Sequence, residues 1–407
     1  MRALILKSLV AVASITVCGR CLAADPIQLL SPRNSAVAPP ASADGDSGVP
    51  ILSPDGRFVL FASSADDLLV MTNGARMATL IPPSLNVFLR DRTNGNTTLV
   101  SINLTGTNGG NGDSLPAGLT ADGRYVLFES SASDLVAGDT NGASDVFMRD
   151  MVTGTTIPVS VSTNGDLGDG ASRNAVMTPD GRYVAFVSAA DNLVPGDTNG
   201  IADVFLRDVQ LGTTVLVSAG ASPGRIGTAY LVASGAPTVT PDGRYVAFYS
   251  TATNLVTGVT SAGEIYVRDV LAATTVWASA YARTALQVMF PTNAASFGHS
   301  ISADGQFVTF EAMGIRVPTG SPWPPTTSGG RGVILRYNVS SGLTDTLSTN
   351  AAVIDGGTDD ARNPVITPDG RFVAFVANAN GVTAANTCVL VWLIFPHRGL
   401  VIERNDQ

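Results

Sequence analysis

The chain has 407 residues, of which 42 are glycine and 23 are proline, and charged residues make up only 14% of it. The many short apolar runs between turn residues favour an all-β protein of one large domain or two ordinary ones. No lysine follows Lys7, so a catalytic lysine is excluded beyond that point, and a net charge of −9 argues against nucleic acid or an anionic membrane as partner.

Residues 1–24 predict a secretory signal peptide. A positively charged start precedes an apolar run over residues 8–18, and small residues stand before Asp25. The run is too short to span a bilayer, and neither Cys18 nor Cys21 follows the small residues of a lipoprotein site. We therefore expect a periplasmic or secreted mature chain with a charge near −12, one remaining cysteine and no intramolecular disulfide.

The mature chain is dominated by a repeat. The sequence TPDGRYVAF occupies residues 178–186 and recurs unchanged at 240–248, and four further copies are looser. The motif aspartates, 58 to 67 residues apart, are Asp55, Asp122, Asp180, Asp242, Asp304 and Asp369. Each unit shows four short apolar runs, the first two joined at Asp-Gly, which predicts a two-residue hairpin. The nearly all-apolar second run indicates a sheet covered on both faces.

Four-stranded antiparallel units covered on both faces predict the blades of a propeller, and six units predict six blades. The repeated [ST]-x-D-G-R-[YF]-V-x-F resembles the WD40-like repeat of TolB-like β-propellers, over nearly all of residues 25–407. The fifth copy departs from it, with Gln306 in place of arginine. TolB carries an α/β domain before its propeller, and no room for one exists before Ser47. The resemblance therefore implies one six-bladed propeller domain, without TolB's partners.

Two segments compete for the outer, fourth strand of the sixth blade. Ile27–Ser31 (IQLLS) resembles Thr97–Ser101 (TTLVS), a fourth-strand segment, and Gly399–Glu403 (GLVIE) is the alternative. The sixth unit departs from the repeat after Asn386, where residues 389–395 (VLVWLIF) replace the usual third strand.

The loops predict which end of the propeller is functional. The turns between strands 1 and 2 and between strands 3 and 4 are short and nearly identical. The strand 2–3 loops and the loops between blades share the other end and are long and varied. Because function commonly lies on variable loops of a rigid scaffold, we expect the ligand there.

Two of these loops suggest a cation. DTNGASD at 139–145 and DTNGIAD at 197–203 each offer two carboxylates and an amide oxygen, which suits calcium. The candidate ligands are Asp139, Asn141, Asp145, Asp197, Asn199 and Asp203. The alternative is an ordinary turn in which these side chains bond backbone N–H groups, and we weigh it as the better explanation because such turns are common.

Other ligand-face candidates are scattered. A serine eight residues before the motif aspartate repeats at Ser47, Ser114, Ser172, Ser234 and Ser296, either as a hydroxyl ring around a ligand or as a strand-start hydrogen bond. Arg225, His299 and Trp323 lie in variable segments. Arginines recur in the motif and in the third strand of five units each, and we expect structural pairs with the repeated aspartates, since one active site does not need a copy in each blade.

No reaction is predicted. Gly220–Gly224 fits G-x-S-x-G but lacks a following helix, and His299 and His397 fall at opposite ends of the predicted fold. We expect a monomeric module of the cell envelope that binds a protein, peptide or glycan, with calcium as its one candidate cofactor. The alternatives are a hydrolase or lyase at the channel mouth, by fold analogy, and a copy that has lost its function.

Overall fold

The computed structural model describes residues 43–69, 77, 83–222, 234–259, 263–286, 293–315, 332–348, 361–377 and 399–404. These ranges hold 23 β-strands and one turn of helix, α1 (Ala282–Ala285). No helix in them is long and apolar enough to cross a membrane. The chain is all-β, as predicted.

Five sheets each consist of four consecutive antiparallel strands. The first holds β1 (Ser47–Leu52), β2 (Phe58–Ser63), β3 (Asn86–Asp91) and β4 (Asn96–Leu99). The second holds β5 (Ser114–Leu119), β6 (Tyr125–Ser130), β7 (Asp145–Asp150) and β8 (Thr155–Pro158). The third holds β9 (Ser172–Met177), β10 (Tyr183–Ser188), β11 (Asp203–Asp208) and β12 (Thr213–Leu216). The fourth holds β13 (Ser234–Val239), β14 (Tyr245–Ser250), β15 (Glu264–Asp269) and β16 (Thr274–Trp277). The fifth holds β17 (Asn293–Ile301), β18 (Phe307–Ile315), β19 (Gly332–Asn338) and β20 (Thr344–Thr346).

The sixth sheet has three strands in the described residues, β21 (Ala361–Ile366), β22 (Phe372–Ala377) and β23 (Gly399–Arg404). The C-terminal strand therefore pairs with β22 as the third strand, and its assignment to the fourth place was wrong. Phe372 lies opposite Arg404, just as Phe58 lies opposite Asp91 in the first sheet. Residues 389–395 lie outside the described residues.

The repeated motif forms a turn that is longer than predicted. In the third sheet it runs from Thr178 to Arg182, with the N–H of Gly181 donating to the Thr178 carbonyl at 2.8 Å and the glycine at φ +74°. Asp180 accepts from the Thr178 hydroxyl at 2.6 Å and from the Arg182 N–H at 3.0 Å. The side chains of Thr178 and Asp180 thus satisfy polar groups within a connection of five residues. The prediction of a two-residue hairpin was wrong.

The core consists of layers between consecutive sheets. One cluster joins Phe58 and Leu60 of the first sheet to Phe128 and Phe147 of the second, and equivalent clusters join the second to the third, the third to the fourth, the fourth to the fifth and the fifth to the sixth. Face-to-face packing of antiparallel sheets in chain order is the arrangement of propeller blades. No cluster in the described residues joins the sixth sheet to the first.

A glycine lets neighbouring sheets approach closely at each of these junctions. A Cβ on Gly243 would lie 2.5 Å from the ring of Tyr183 in the preceding sheet. The same contact joins Gly123 to Phe58, Gly181 to Tyr125, Gly305 to Tyr245 and Gly370 to Phe307. Gly56 of the first sheet meets no such ring among the described residues, and Val49 and Leu52 of β1 are 54% and 57% exposed.

The motif arginines form structural ion pairs, as predicted, whereas the predicted pairing of the third-strand arginines with aspartates was wrong in the first four sheets. Arg182 pairs with Asp208 at 2.8 Å and lies 4.7 Å from the centre of the Tyr183 ring. The first, second and fourth sheets repeat this ion pair as Arg57–Asp91, Arg124–Asp150 and Arg244–Asp269. The third-strand arginines of the first four sheets donate to fourth-strand threonines, at Arg90–Thr97, Arg149–Thr156, Arg207–Thr214 and Arg268–Thr275.

Candidate functional site

A cleft of about 500 Å³ opens between two loops of the second sheet, at the end where the sequence predicted a ligand. One wall belongs to the strand 2–3 loop and the other to the loop that leads to the third sheet. Its lining comprises Ala137, Gly138, Thr140, Asn141, Pro158, Gly165, Asp166, Leu167, Gly168 and Asp169. The sequence pointed to this end of the fold but not to Asp166 and Asp169.

The acidic side of the cleft is held in place by hydrogen bonds. Asp166 donates its N–H to the Ser162 hydroxyl at 3.2 Å. Asp169 donates its N–H to the side chain of Asn192 at 3.1 Å and accepts from the N–H of Asp191 at 2.9 Å. Both aspartates are exposed, so their free carboxylate oxygens face solvent at the cleft. The site offers acceptors to a ligand that brings hydroxyl, amide or cationic donors.

Asn141 joins the two walls of the cleft. Its amide nitrogen donates to Asp145 and to the Gly168 carbonyl, both at 2.7 Å, and its amide oxygen accepts from the Ala143 N–H at 2.8 Å. Asn199 makes the same three bonds in the third sheet, to Asp203, the Ala221 carbonyl and the Ile201 N–H. Both DTNG loops are therefore hydrogen-bonded turns that brace the next loop.

Asp145 also fixes the edge of its own sheet. The hydroxyl of Ser160 donates to Asp145 at 2.7 Å and accepts from the Val146 N–H at 3.0 Å. Asp203 and Ser218 repeat the arrangement in the third sheet. The sequence analysis missed this role, although its signal is a serine that closes each fourth-strand segment.

The charges in these loops are nevertheless costly to bury. Burial raises the pKa of Asp139, Asp145 and Asp203. Asp197 is 5% exposed, and its two carboxylate oxygens have no hydrogen bond of standard geometry in the described residues. Burial, followed by repulsion from Asp203 and Asp191 and partly offset by the nearby Asn199 N–H, raises its pKa to about 6. A cation would relieve this charge. The described residues, however, contain no group of three acidic, histidine or cysteine side chains placed to hold a metal, so calcium stays a prediction.

The repeated serines lie inside the sheets. Ser114 bonds Ser130 at 2.8 Å and Ser172 bonds Ser188 at 2.9 Å, and all four side chains are buried. Ser296 is buried too, and its hydroxyl has no partner in the described residues. The hydroxyls of Ser114 and Ser172 are therefore engaged in hydrogen bonds between strands, and the Ser296 hydroxyl is not. Ser234 belongs to a strand whose first side chains lie outside the described residues.

The remaining candidates do not converge. His299 donates from Nε2 to the Ala247 carbonyl at 3.0 Å. Burial lowers its pKa to about 4, so the ring is neutral at physiological pH. No carboxylate bonds it in the described part of the chain. Arg225, Trp323 and His397 lie outside the described residues.

Known proteins show only a distant similarity to this chain. A scan against family models gave no match, and neither did a search of curated proteins. Among solved structures, one described as TolB from Agrobacterium tumefaciens is 13% identical over 90% of this chain and 92% of its own, with a TM-score of 0.39. An oligogalacturonate lyase in complex with manganese is 12% identical over 88% of each chain, with a TM-score of 0.29. An acylaminoacyl peptidase of Pyrococcus horikoshii is 11% identical over 83% of this chain and 43% of its own, with a TM-score of 0.42. At these values no activity, ligand or partner is transferred to this chain.

Proposed function

We propose that the chain is an exported, monomeric six-bladed propeller that binds a peptide, protein or glycan of the cell envelope through its variable loops. One observation carries the proposal: the cleft between residues 137–141 and 165–169 of the second sheet, at the variable end. The exposed groups at its rim are Thr140, Asp166 and Asp169. Such a rim favours a ligand rich in hydrogen-bond donors, such as a sugar hydroxyl face or a basic peptide.

Closure of six sheets into a ring is part of this proposal. It brings Phe372 of the sixth sheet to Gly56 of the first, which repeats the glycine–aromatic contact of the other five junctions. It also covers Val49 and Leu52. Calcium bound at the Asp197 loop is a subsidiary proposal, supported by the unpartnered oxygens of Asp197.

An enzyme needs a different arrangement. A hydrolase or lyase brings a base, an acid and a polarising group within hydrogen-bond reach of one point. In the described residues His299 bonds only a backbone carbonyl, and no observation favours this alternative.

The test is binding by the mature protein to arrays of envelope glycans and of basic peptides, followed by calorimetry on each hit. Thr140→Trp fills the cleft and should abolish binding. Thr153→Trp, in the β7–β8 turn at the opposite end of the same sheet, is the matched control and should bind normally. Binding that survives Thr140→Trp, or that Thr153→Trp abolishes instead, contradicts the assignment of the cleft.

A further inference from the structure

Charge is distributed unevenly between the two ends of the fold. At the end that holds the motif turns, arginine and aspartate pair in each of the first four sheets, as Arg182 does with Asp208. At the variable end, the loops 131–144, 159–171 and 189–202 contain six aspartates and no arginine, lysine or histidine. The six are Asp134, Asp139, Asp166, Asp169, Asp191 and Asp197. No ion pair to any of them is found in the described residues, so this part of the variable end is strongly negative.

Four of these aspartates follow one another from the second sheet to the third. Asp166 and Asp169 line the cleft. Asp169 accepts from the N–H of Asp191 at 2.9 Å, which joins the cleft wall to the strand 2–3 loop of the third sheet. Burial, and then repulsion from Asp203 and Asp191, raises the pKa of Asp197, so Asp191 and Asp197 lie close enough to interact. We call Asp166, Asp169, Asp191 and Asp197 the acidic strip.

The acidic strip holds carboxylates that the fold does not neutralise. Asp166, Asp169 and Asp191 are exposed. Asp197 is 5% exposed, and neither of its oxygens has a hydrogen bond of standard geometry in the described residues. A buried charge without donors destabilises the free protein, and such charges are concentrated at binding sites. Because solvent screens a buried charge less than an exposed one, Asp197 adds to the attraction of the strip for a cation.

We propose that the acidic strip binds a basic peptide segment, which lies across the second and third sheets. The inference rests on the proposed function, because the cleft is one end of the strip, and it names the class of ligand. One cationic side chain enters the cleft, where its N–H groups meet the carboxylates of Asp166 and Asp169 and the Thr140 hydroxyl. A further cationic side chain meets Asp191 in the field of Asp197. Hydrogen bonds between ionised groups are the stronger ones, and complementary charge selects the partner.

A neutral glycan fits the strip less well than a basic peptide. Its hydroxyl groups can donate to the exposed carboxylates, but they leave the negative charge of four aspartates uncompensated. A ligand that brings positive charge both donates to the carboxylates and lowers their mutual repulsion. Its association is also accelerated by the negative field of this end of the fold.

Fluorescence anisotropy with a labelled peptide of alternating glycine and arginine tests the inference, at low salt and in EGTA. The same peptide with glutamine in place of arginine is the neutral control. The mature protein should bind the arginine peptide and not the glutamine peptide. Binding should weaken as the salt approaches about 1 M, where the screening length falls to about 3 Å. Equal binding of the two peptides, or binding that salt does not change, overturns the inference.

A pair of double variants locates the peptide. Asp166→Asn with Asp191→Asn removes two charges of the acidic strip and should weaken binding about tenfold. Asp46→Asn with Asp113→Asn is the matched control, because it removes the same charge from two exposed positions of the variable end outside the strip. It should bind nearly as the parent protein does. An equal loss in the two double variants means that only the overall charge attracts the peptide, and it overturns the inference.

Thr140→Trp separates this inference from the proposed function. Loss of the arginine peptide in Thr140→Trp supports both, since the cleft is then the shared site. If a neutral glycan binds in the cleft of the parent protein while the arginine peptide does not bind, the inference fails and the proposed function stands. If Thr140→Trp keeps the peptide while Asp166→Asn with Asp191→Asn weakens it, the acidic strip stands and the cleft of the proposed function fails.

Discussion

Replacing Asp197 with asparagine should stabilise the protein at neutral pH. The Asp197 carboxylate is buried with no hydrogen bond of standard geometry in the described residues, and burial outweighs the nearby Asn199 N–H and raises its pKa from 3.8 to about 6. That difference corresponds to about 3 kcal/mol between the protonated and ionised forms, an upper bound on the gain because a buried amide also needs partners. The charge is removed by Asp197→Asn, and the isosteric amide keeps the volume.

The sign of the pH dependence follows from linkage. A raised folded-state pKa means that the folded protein binds more protons than the unfolded chain between about pH 4 and pH 6. The contribution of Asp197 to stability is therefore fully present below pH 4 and is lost as the pH rises through 6. The difference in unfolding free energy between Asp197→Asn and the parent protein should be largest above pH 7 and should shrink below pH 4.

Urea unfolding of both proteins from pH 3.5 to 8 measures that difference. Asp139→Asn is the matched control in the other DTNG loop, where burial also raises the pKa of Asp139 but its oxygens are not among the fully buried, unpartnered atoms of the described residues. It should gain less. A uniform loss of stability for Asp197→Asn at every pH refutes the reasoning, since it means that the carboxylate has favourable partners.

Calcium, packing and ion pairing give three further predictions. If the Asp197 loop binds calcium, millimolar calcium raises the thermal midpoint of the parent protein above that in EGTA and leaves the midpoint of Asp197→Asn unchanged. Equal midpoints of the parent protein in calcium and in EGTA contradict calcium binding at this loop. Gly243→Ala should destabilise by more than Gly138→Ala in urea unfolding. Gly138→Ala should cost about 1 kcal/mol because the residue has a positive φ. Gly243→Ala should carry the same cost and in addition about 1 to 3 kcal/mol from overpacking against Tyr183. Arg182→Ala loses a partly exposed pair with Asp208 and a ring contact, and it should lower the urea midpoint slightly. Arg182→Lys should recover part of the loss, and an unchanged midpoint for Arg182→Ala means that the pair is not stabilising.

The repeat made the sheets predictable because each unit carries the same local chemistry. Asp-Gly marked the strand 1–2 turn correctly, but its length was missed because Thr178 and Asp180 act together as side-chain acceptors, which the dipeptide alone does not reveal. The third-strand role of residues 399–404 was missed for another reason. GLVIER has the apolar pattern of either an outer or a third strand, and only its pairing with β22 decides between them.

The candidate site was predictable in position and not in detail. The variable loops pointed to the end of the fold at which the cleft lies. The two DTNG loops have similar sequences. In the described residues the Asp197 oxygens are buried without a partner, whereas Asp145 and Asp203 are bound by the serines that follow the fourth strands of their sheets. Such distant partners do not appear in a local motif. The buried serine pairs were likewise hidden, because each partner comes from the neighbouring strand.

Closure of the six sheets into one ring, as we propose, can be tested by a distance measurement. In a Cys388→Ser background, spin labels are placed on Pro54 and Pro368, exposed turn positions of the first and sixth sheets. Pulsed electron paramagnetic resonance measures their separation. The reference pair is Ala121 and Pro179, which hold the same positions in the second and third sheets, two sheets that pack together. A closed ring predicts the same separation for both pairs. A Pro54–Pro368 separation well beyond the Ala121–Pro179 value shows an open array and contradicts the account.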